Sequence, residues 1–412
     1  MKINFEKFEL TNGLKVIVNE DNKTSMVAMN IVYDVGARDE DENQTGFAHL
    51  FEHLMFEGSV NIPNYDKPLQ NAGGTNNAFT NNDITNYYIT LPSQNIETGF
   101  WLESDRMMKL NITAEKLEIQ KKVVIEEFKE RYLNQPYGDI WPLIRKMCYE
   151  THPYKWPTIG KEISHIENAK LDDVEKFFER YYCPSNAILS ISGNVKTAEI
   201  LNLCKKWFEP IASGQKNIRQ LPTEPEQTKE KTTSVERKVP QSMLYMAWPM
   251  PGYNMPDYHA IDLFTEVLGS GDSSRLHQQL VKEKQIFSHI SSYILGSRDP
   301  GLAIISGRLN KGIDQEVARM EIWNVINSFR DNPVSQSELT KTQNKGTTND
   351  EIEMLGILPK AMKLGFAELI GNANHINEER EIYNRVTCQD LNDIANRYFK
   401  PHKTNYLFYN SI

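Results

Sequence analysis

Two histidines and a glutamate lie close together in the stretch HLFEH, as His49, Glu52 and His53. If this stretch is helical, a rotation of about 100° per residue places all three side chains on one face. Imidazoles four residues apart can bind one tetrahedral Zn²⁺ ion, and a carboxylate beside them can accept a proton from a zinc-bound water. The order HxxEH inverts the commoner HExxH and also occurs among catalytic zinc motifs. The stretch therefore predicts a zinc centre with His49 and His53 as metal ligands and Glu52 as general base.

A catalytic zinc site usually has a third protein ligand, and the stretch Glu118–Arg131 offers several glutamates on one predicted helix. Helical spacing places Glu127 on the same face as Val123 and Val124, whereas Glu126 lies among charged neighbours. Glu127 is therefore expected to point inward and is favoured over Glu126 as the third ligand. The alternative is that the whole stretch is a solvated run of charges.

The bulk composition limits the classes of protein to consider. The chain has 412 residues, enough for two or more domains, and is 39% hydrophobic and 25% charged with a formal net charge of −9. These values predict a soluble globular protein and argue against nucleic acid or an anionic membrane as partner. No apolar run approaches the roughly 18 residues that cross a bilayer, and no secretory signal opens the sequence. A cytoplasmic location is expected, unless a leader has been removed.

Strand and helix signals alternate along the first half of the chain. Residues 13–18 and a segment from Ser25 show alternating apolar spacing and are predicted to pair as a β-hairpin. The stretch Asn76–Pro92 is rich in Asn, Thr and Tyr, which predicts two strands joined by a turn. A long helix is predicted from about Ala114 to Tyr132. This succession of strands and helices indicates an α+β fold.

An internal repeat connects the two halves of the chain. A gapless alignment with an offset of 217 places Asp173 on Asp390 and Pro184 on Pro401. Both copies predict an amphipathic helix that ends before a proline and is followed by a strand. The chain is therefore expected to contain two related halves of about 200 residues.

The repeat predicts two domains with different chemistry. Residues 1–212 form the predicted catalytic domain with the metal motif, and residues 241–412 form the homologous domain. The polar, proline-containing stretch 213–240 is the predicted linker. The offset of 217 places His49 on Glu266, so the second half is expected to lack the metal motif.

The motif HLFEH, followed 74 residues after His53 by Glu127 of VVIEE, resembles the pitrilysin and insulinase family of zinc peptidases. The similarity is closest to the small two-domain branch that includes mitochondrial processing peptidase, and it extends over LTNGLKVIV, NNAFTNNDITNYY, LESDRM, HPYKWPTIG and SSRLHQQL. The resemblance implies Zn²⁺ bound by His49, His53 and Glu127, with Glu52 as catalytic base. It also implies two homologous α+β domains, each a mixed, mainly antiparallel β-sheet backed by helices, and dimers that close around a peptide.

The sequence departs from the family pattern at two places. The family often has a glutamate seven residues before the third ligand, where this chain has Gln120, which can form hydrogen bonds but carries no charge. The second half of related chains usually has an arginine and a tyrosine that hold the substrate, and the matching positions here are Val281 and Ser288. The missing pair suggests the zinc-bearing half of a heterodimer whose related partner supplies the Arg/Tyr pair, and a homodimer is the alternative.

The function expected from these features is that of a zinc endopeptidase acting on peptides or unfolded polypeptide segments. In the similar peptidases a strand that matches Asn76–Thr80 pairs with extended substrate backbone, so Asn77 and Ala78 are the candidate substrate-binding residues. An ordinary internal strand is the alternative for this stretch. A noncatalytic assembly subunit and a peptide-binding module with structural zinc are the alternative functions.

Overall fold

The computed structural model describes residues 2–412, which form two compact units of mixed α/β structure. The strands are β1 (Glu6–Glu9), β2 (Lys15–Glu20), β3 (Met26–Tyr33), β4 (Thr75–Thr80), β5 (Thr85–Pro92), β6 (Ala187–Gly193), β7 (Lys231–Arg237), β8 (Met243–Met250), β9 (Phe287–Leu295), β10 (Gly301–Leu309) and β11 (Asn405–Ser411). The α-helices are α1 (Phe47–Leu54), α2 (Asp66–Asn71), α3 (Ile96–Met108), α4 (Ala114–Phe128), α5 (Ile140–Cys148), α6 (Ile163–Glu167), α7 (Leu171–Tyr181), α8 (Thr197–Trp207), α9 (Tyr258–Gly269), α10 (Gln315–Ser328), α11 (Gln336–Glu353), α12 (Ile357–Ile370), α13 (His375–Arg385) and α14 (Cys388–Arg397). Short 3₁₀ helices occur at Ala37–Asp39, Ser93–Asn95, Pro153–Lys155, Pro184–Asn186 and Pro401–Lys403, and π-helical segments at Lys129–Asn134 and His277–Glu283.

Among residues 2–412, no helix has both the length and the apolar character needed to cross a membrane.

The first sheet has the strand order β1-β2-β6-β3-β5-β4. Neighbouring strands are antiparallel, except β2 and β6, which are parallel. Strand β6 is buried along its whole length and β3 along nearly all of it, and both are rich in Val, Ile, Leu, Met and Ala. Such strands are stable where both faces of the sheet are covered, which is why they lie in the middle of the sheet. Strand β4 lies at its edge.

The predicted hairpin between residues 13–18 and the segment from Ser25 is wrong. Both segments form strands, β2 and β3, but β6 lies between them and pairs with each. Alternating apolar spacing indicates which face of a strand is buried, and it carries no information about the neighbouring strand. Three other predicted elements are confirmed, namely helix α1, the β4–β5 pair and helix α4.

The second sheet repeats the topology of the first. Its order, β7-β11-β8-β10-β9, corresponds to β2-β6-β3-β5-β4, including the parallel pair, here β7 with β11. Helices α7 and α14 precede the equivalent strands β6 and β11, and a short turn that begins at Pro184 or Pro401 joins each helix to its strand. The predicted fold class, two homologous α+β domains with mixed, mainly antiparallel sheets backed by helices, is confirmed.

The two compact units interleave along the chain. The first unit runs to Arg131 and continues with Trp156–Leu221 and Asp350–Glu378, and the second comprises Tyr132–Lys155, Pro222–Asn349 and Glu379–Ile412. Helix α12, from the second half of the chain, packs against β2, β3 and β6 of the first sheet. Helix α5, from the first half, packs against β7, β8 and β11 of the second sheet. The domain boundaries inferred from the sequence repeat stay a prediction.

Apolar contacts hold α12 against the first sheet. Leu364 is fully buried in a core that includes Ile17 and Val32. The hydroxyl of Ser190 on β6 donates a hydrogen bond of 2.6 Å to the carbonyl oxygen of Ala361. Since removal of apolar surface from water is the main stabilising contribution in such packing, the first sheet depends on a helix that lies far away in the sequence.

Leu364→Ala is expected to lower the free energy of unfolding by about 2–5 kcal/mol, because it leaves a cavity beside the first sheet. Leu355→Ala is the matched control, since Leu355 is 73% exposed. Its effect should stay within about 0.5 kcal/mol. Urea denaturation followed by circular dichroism measures both changes. Equal effects of the two substitutions would contradict the packing of α12 described above.

Candidate metal centre

Helix α1 carries the predicted metal motif, and a buried carboxylate holds its first turn. Gly46 precedes the helix with a left-handed backbone, φ +91°, and a Cβ atom here would lie 2.6 Å from the carbonyl oxygen of Ile159. Glu40 accepts hydrogen bonds from the backbone N–H groups of Gly46, at 2.9 Å, and Ala48, at 2.8 Å. These bonds satisfy donors that the first turn of a helix leaves free. Glu40 therefore fixes the point at which α1 begins.

The apolar face of α1 packs into the first unit and leaves the motif on the opposite face. The ring of Phe51 stacks on those of Phe177 and Tyr182, with centroid distances of 5.0 and 5.1 Å. On the other face the side chains of His49 and His53 are 10% and 24% exposed. The aromatic contacts fix the rotation of α1 about its axis and thereby the direction of the two imidazoles.

Helix α4 packs against α1 and supplies Glu127. Its Oε2 atom lies 3.4 Å from Nε2 of His53 and 3.6 Å from Nε2 of His49. One potential ligand atom from each of the three residues lies within 4.8 Å of the other two. The structure therefore brings together the three side chains that the sequence indicated as metal ligands.

Glu126 has a different environment from its neighbour Glu127. Its side chain is 72% exposed and pairs with Lys129 at 2.7 Å, whereas that of Glu127 is 20% exposed. The expectation from helical spacing, that Glu127 points inward and Glu126 outward, therefore agrees with the structure. Val123 was expected on the inner face but is 44% exposed, and only Val124 of the two valines is buried. The apolar stripe of α4 is therefore narrower than the sequence indicated.

Burial and hydrogen bonding set the charge states of the cluster. Burial lowers the pKa of His49 to about 4, so this imidazole is neutral near pH 7. A hydrogen bond with His53 holds the pKa of Glu127 below its ordinary value, which keeps this carboxylate charged. Burial raises the pKa of Glu52. A neutral imidazole and an anionic carboxylate are the protonation states in which these groups bind metal ions.

The donor set fits a zinc ion. Two imidazole nitrogens and one carboxylate oxygen are ligands found in catalytic zinc sites. Bonds of about 2.0–2.1 Å at tetrahedral angles separate neighbouring ligand atoms by about 3.3 Å. The separations from Glu127 to the two imidazoles, 3.4 and 3.6 Å, are close to that value.

Gln120, the secondary position noted in the sequence, has another partner. It lies two turns before Glu127 on α4, and its amide nitrogen donates a hydrogen bond of 2.5 Å to Oε1 of Glu57. The ammonium group of Lys116 donates to the carbonyl oxygen of the same glutamate at 2.7 Å. Gln120 thus connects α4 to the segment that follows α1.

Asn77 and Ala78, the candidate substrate-binding residues, lie on the edge strand β4, which packs against α1. Asn77 is exposed and Ala78 is half-buried. The backbone N–H of Ala78 donates a hydrogen bond of 2.8 Å to the side-chain oxygen of Asn77. On its other side β4 pairs with β5, with Ala78 opposite Tyr87. Strand β4 is therefore an edge strand and not an internal one, and the substrate-binding role of Asn77 and Ala78 stays a prediction.

The second repeat has apolar residues where the first has its motif. Helix α9 also begins after a residue with a left-handed backbone, Asp257 at φ +71°, which makes Asp257 the equivalent of Gly46. This equivalence has an offset of 211 and places His49 opposite the buried Ala260. The gapless alignment of His49 with Glu266 is therefore wrong, because the loop before α9 is shorter than the loop before α1. The expectation that the second half lacks the histidines is unaffected.

Sequence reasoning missed two residues that hold parts of the site, one at the start of α1 and one beside Glu127. Glu40 caps α1 from a position with no fixed spacing to the helix, so no local pattern identifies it. Arg131 lies with its Nη2 atom 2.8 Å from Oε1 of Glu127. Its spacing to Glu127 is the i,i+4 spacing of helical ion pairs, which could have indicated the contact.

Comparison with known proteins agrees with this architecture. The profile of Insulinase (Peptidase family M16) matches residues 15–155, and that of the Peptidase M16 inactive domain matches residues 168–345. The zinc protease PqqE of Helicobacter pylori is 29% identical over 98% of this chain and 92% of its own length. A crystal structure of a protease from Helicobacter pylori has a TM-score of 0.92 at 27% identity and covers 99% of this chain and 100% of its own. A probable mitochondrial-processing peptidase subunit beta of Arabidopsis thaliana is 20% identical over 94% of this chain and 75% of its own length.

Two repeats of one mixed sheet, with an HxxEH helix in the first repeat, define a class of two-domain metallopeptidase folds. The two profiles of that class match consecutive parts of this chain, and the relatives match over almost its whole length. The chain therefore belongs to the insulinase family, peptidase family M16. The resemblance seen in the sequence is confirmed. The profile that matches the second part describes an inactive domain, in agreement with the apolar helix α9.

Glu40 should make the stability of the protein depend on pH. Burial raises its pKa to about 8, from an ordinary value of 4.5. Between these pH values the folded state binds the proton that the unfolded state has lost. The contribution of Glu40 to stability is therefore fully present below about pH 4.5 and is lost as the pH rises to about 8.

Glu40→Gln is expected to remove this dependence. The unfolding free energy of the wild type, relative to the variant, should fall by up to about 1.4 kcal/mol per pH unit across this range. Urea denaturation at a series of pH values measures the slope. Glu42→Gln, at a half-exposed carboxylate two residues away, is the control and should keep the wild-type slope. The expectation fails if Glu40→Gln also keeps it.

Proposed function

We propose that this chain is a zinc metalloendopeptidase that hydrolyses peptides or unfolded polypeptide segments. The observation that carries the proposal is the convergence of His49 Nε2 and His53 Nε2 on one oxygen of Glu127, with Glu52 on the same face of α1. Relatives that match nearly the whole chain are named zinc proteases, which supports the same reading.

In this proposal His49, His53 and Glu127 hold Zn²⁺. When bound, the ion supplies Lewis-acid chemistry, which polarises a carbonyl group and makes water more acidic. Burial keeps the imidazole of His49 neutral, so its nitrogen lone pair is available. The negative charge of Glu127 compensates part of the charge of a cation. His49 therefore does not have to lose a proton before it binds a metal ion.

Glu52 is the general base of the proposed reaction. It lies one residue before His53, and burial raises its pKa. A carboxylate with a raised pKa binds a proton more strongly, so it is a better base toward water. In the proposed reaction a carboxylate oxygen of Glu52 takes the proton of the attacking water and later transfers it to the nitrogen of the leaving amine. Glu52 returns to its starting charge at the end of each cycle.

The proposed substrate is an extended backbone added at the edge of β4. Pairing at a sheet edge uses main-chain hydrogen bonds, which depend little on side-chain identity. The N–H of Ala78, now bonded to the side chain of Asn77, is a donor available for such pairing once that side chain turns away. Since β4 packs against α1, a peptide on this edge would run beside the candidate metal centre. Folded substrates are disfavoured, because their backbone groups are already paired.

The proposal also includes a partner subunit. Val281 lies in the π-helical segment His277–Glu283 and Ser288 on β9, at the positions where similar peptidases usually have Arg and Tyr. Neither side chain supplies a positive charge or a phenol to hold a substrate. We therefore propose that the chain is the zinc-bearing subunit of a heterodimer in which a related subunit supplies the Arg/Tyr pair, with a homodimer as the alternative.

Glu127→Gln is expected to weaken zinc binding by at least about tenfold, because a neutral amide replaces an anionic ligand. Glu126→Gln, at the exposed neighbouring carboxylate, should bind zinc like the wild type. Elemental analysis after dialysis against a zinc buffer measures the bound metal per chain. A full complement of zinc in Glu127→Gln would rule out the proposed ligand set.

Glu52→Gln is expected to retain zinc and to lower the rate of peptide hydrolysis by about 10²–10⁴-fold, the usual contribution of a general base. The assay uses an unfolded peptide, with the chain alone and coexpressed with a related subunit, and Glu126→Gln as control. Wild-type rates in zinc-loaded Glu52→Gln would remove Glu52 from its proposed role. Zinc-loaded wild type that cleaves nothing in either form would favour the noncatalytic assembly or peptide-binding subunit.

A further inference from the structure

Glu127 uses its two carboxylate oxygens for different partners. Oε2 faces the imidazoles, 3.4 Å from His53 Nε2 and 3.6 Å from His49 Nε2, whereas Oε1 lies 2.8 Å from Nη2 of Arg131. Arg131 belongs to the π-helical segment Lys129–Asn134, which continues α4. Short π-helical segments of this kind are frequent at functional sites.

The ion pair between Arg131 and Glu127 differs from a neighbouring surface ion pair in the burial of its carboxylate. Glu126 and Lys129 form such a pair at 2.7 Å, with side chains 72% and 42% exposed. The side chain of Glu127 is only 20% exposed. Its Oε2 atom faces the imidazole of His49, whose side chain is 10% exposed. Arg131 therefore acts on a carboxylate whose orientation determines the geometry of the polar cluster.

The effect of this contact on a metal site follows from the torsional freedom of a glutamate. A free carboxylate can rotate and present one oxygen or both to a cation. A guanidinium bound to Oε1 leaves Oε2 as the oxygen that faces the imidazoles of His49 and His53. Partners that orient metal ligands in this way typically change metal affinity by about 10–100-fold.

The positive charge of Arg131 has the opposite effect, because it repels a cation. The side chain of Arg131 is 63% exposed, so water and salt screen this repulsion. The ion pair with Oε1 is a direct contact, with Nη2 at 2.8 Å from this oxygen. Orientation of Glu127 is therefore expected to outweigh the repulsion.

We propose that Arg131 is a positioning residue of the metal centre, which holds Oε1 of Glu127 so that a divalent cation meets a single carboxylate oxygen, Oε2. This inference rests on the metal site of the proposed function. It assigns to Arg131 a role in metal affinity and coordination that is separate from any contact with substrate.

Arg131→Gln is expected to raise the dissociation constant for Zn²⁺ by about 10–100-fold. Competition with a chromophoric chelator measures this constant on the full-length protein. Arg131→Lys keeps a charged donor at the position and should restore most of the affinity. Lys129→Gln removes the neighbouring exposed ion pair and should leave the constant within about twofold of the wild type. Urea denaturation of the metal-free proteins verifies that each variant is folded.

The absorption spectrum of the Co²⁺-loaded protein is the second readout, because it reports coordination directly. It should change in Arg131→Gln and stay as in the wild type in Lys129→Gln. Unchanged or tighter zinc binding by Arg131→Gln, together with lost binding by Glu127→Gln, would overturn the role of Arg131 and leave the metal site in place. Unchanged zinc binding by Glu127→Gln would remove the metal site itself and this inference with it.

Discussion

The meeting of two imidazoles and one carboxylate between α1 and α4 is the constraint that the packing of both helices has to satisfy. Polar groups lose hydration when they are brought together away from water, so each must be neutral or have a partner. Burial keeps His49 neutral, with a pKa of about 4. Glu127 keeps its charge because His53 hydrogen-bonds to it and Arg131 pairs with Oε1. Each polar group of the cluster is therefore either neutral or paired with a neighbour.

A buried ionic network lies behind α1 and connects it to the sheet. Arg106 is almost completely buried and donates to both carboxylate oxygens of Glu103, at 2.9 and 2.7 Å. Its guanidinium also lies over the rings of Tyr65 and Tyr87, at 4.7 and 4.5 Å from the centroids. A buried charge is tolerated when a counter-ion and aromatic faces replace its hydration. The hydroxyl of Tyr87 donates to the backbone oxygen of Phe51 on α1 at 3.4 Å, so the network extends to the helix that carries the motif.

The two repeats share the same architecture but differ in the polar residues of α1 and α9. Both sheets have the same strand order, and both α1 and α9 begin after a residue with a left-handed backbone. Yet α9 has the buried Ala260 where α1 has His49. The architecture is therefore stable with an apolar residue at this position. Since the second repeat folds with apolar residues on α9, the three polar groups on α1 are not required for the packing of this fold.

Local features were determined by the sequence alone. The helix around HLFEH, the β4–β5 pair and the preference for Glu127 over Glu126 all follow from periodicities of two or 3.6 residues, which report how a segment faces its surroundings. Only the tertiary structure decided that β6 separates β2 from β3, that α5 and α12 pack on sheets formed mainly by the other half of the chain, and that Glu40 caps α1. These features depend on contacts between residues far apart in the chain. The periodicity of a segment shows which of its residues need packing partners. The packing of the whole unit determines which residues those partners are.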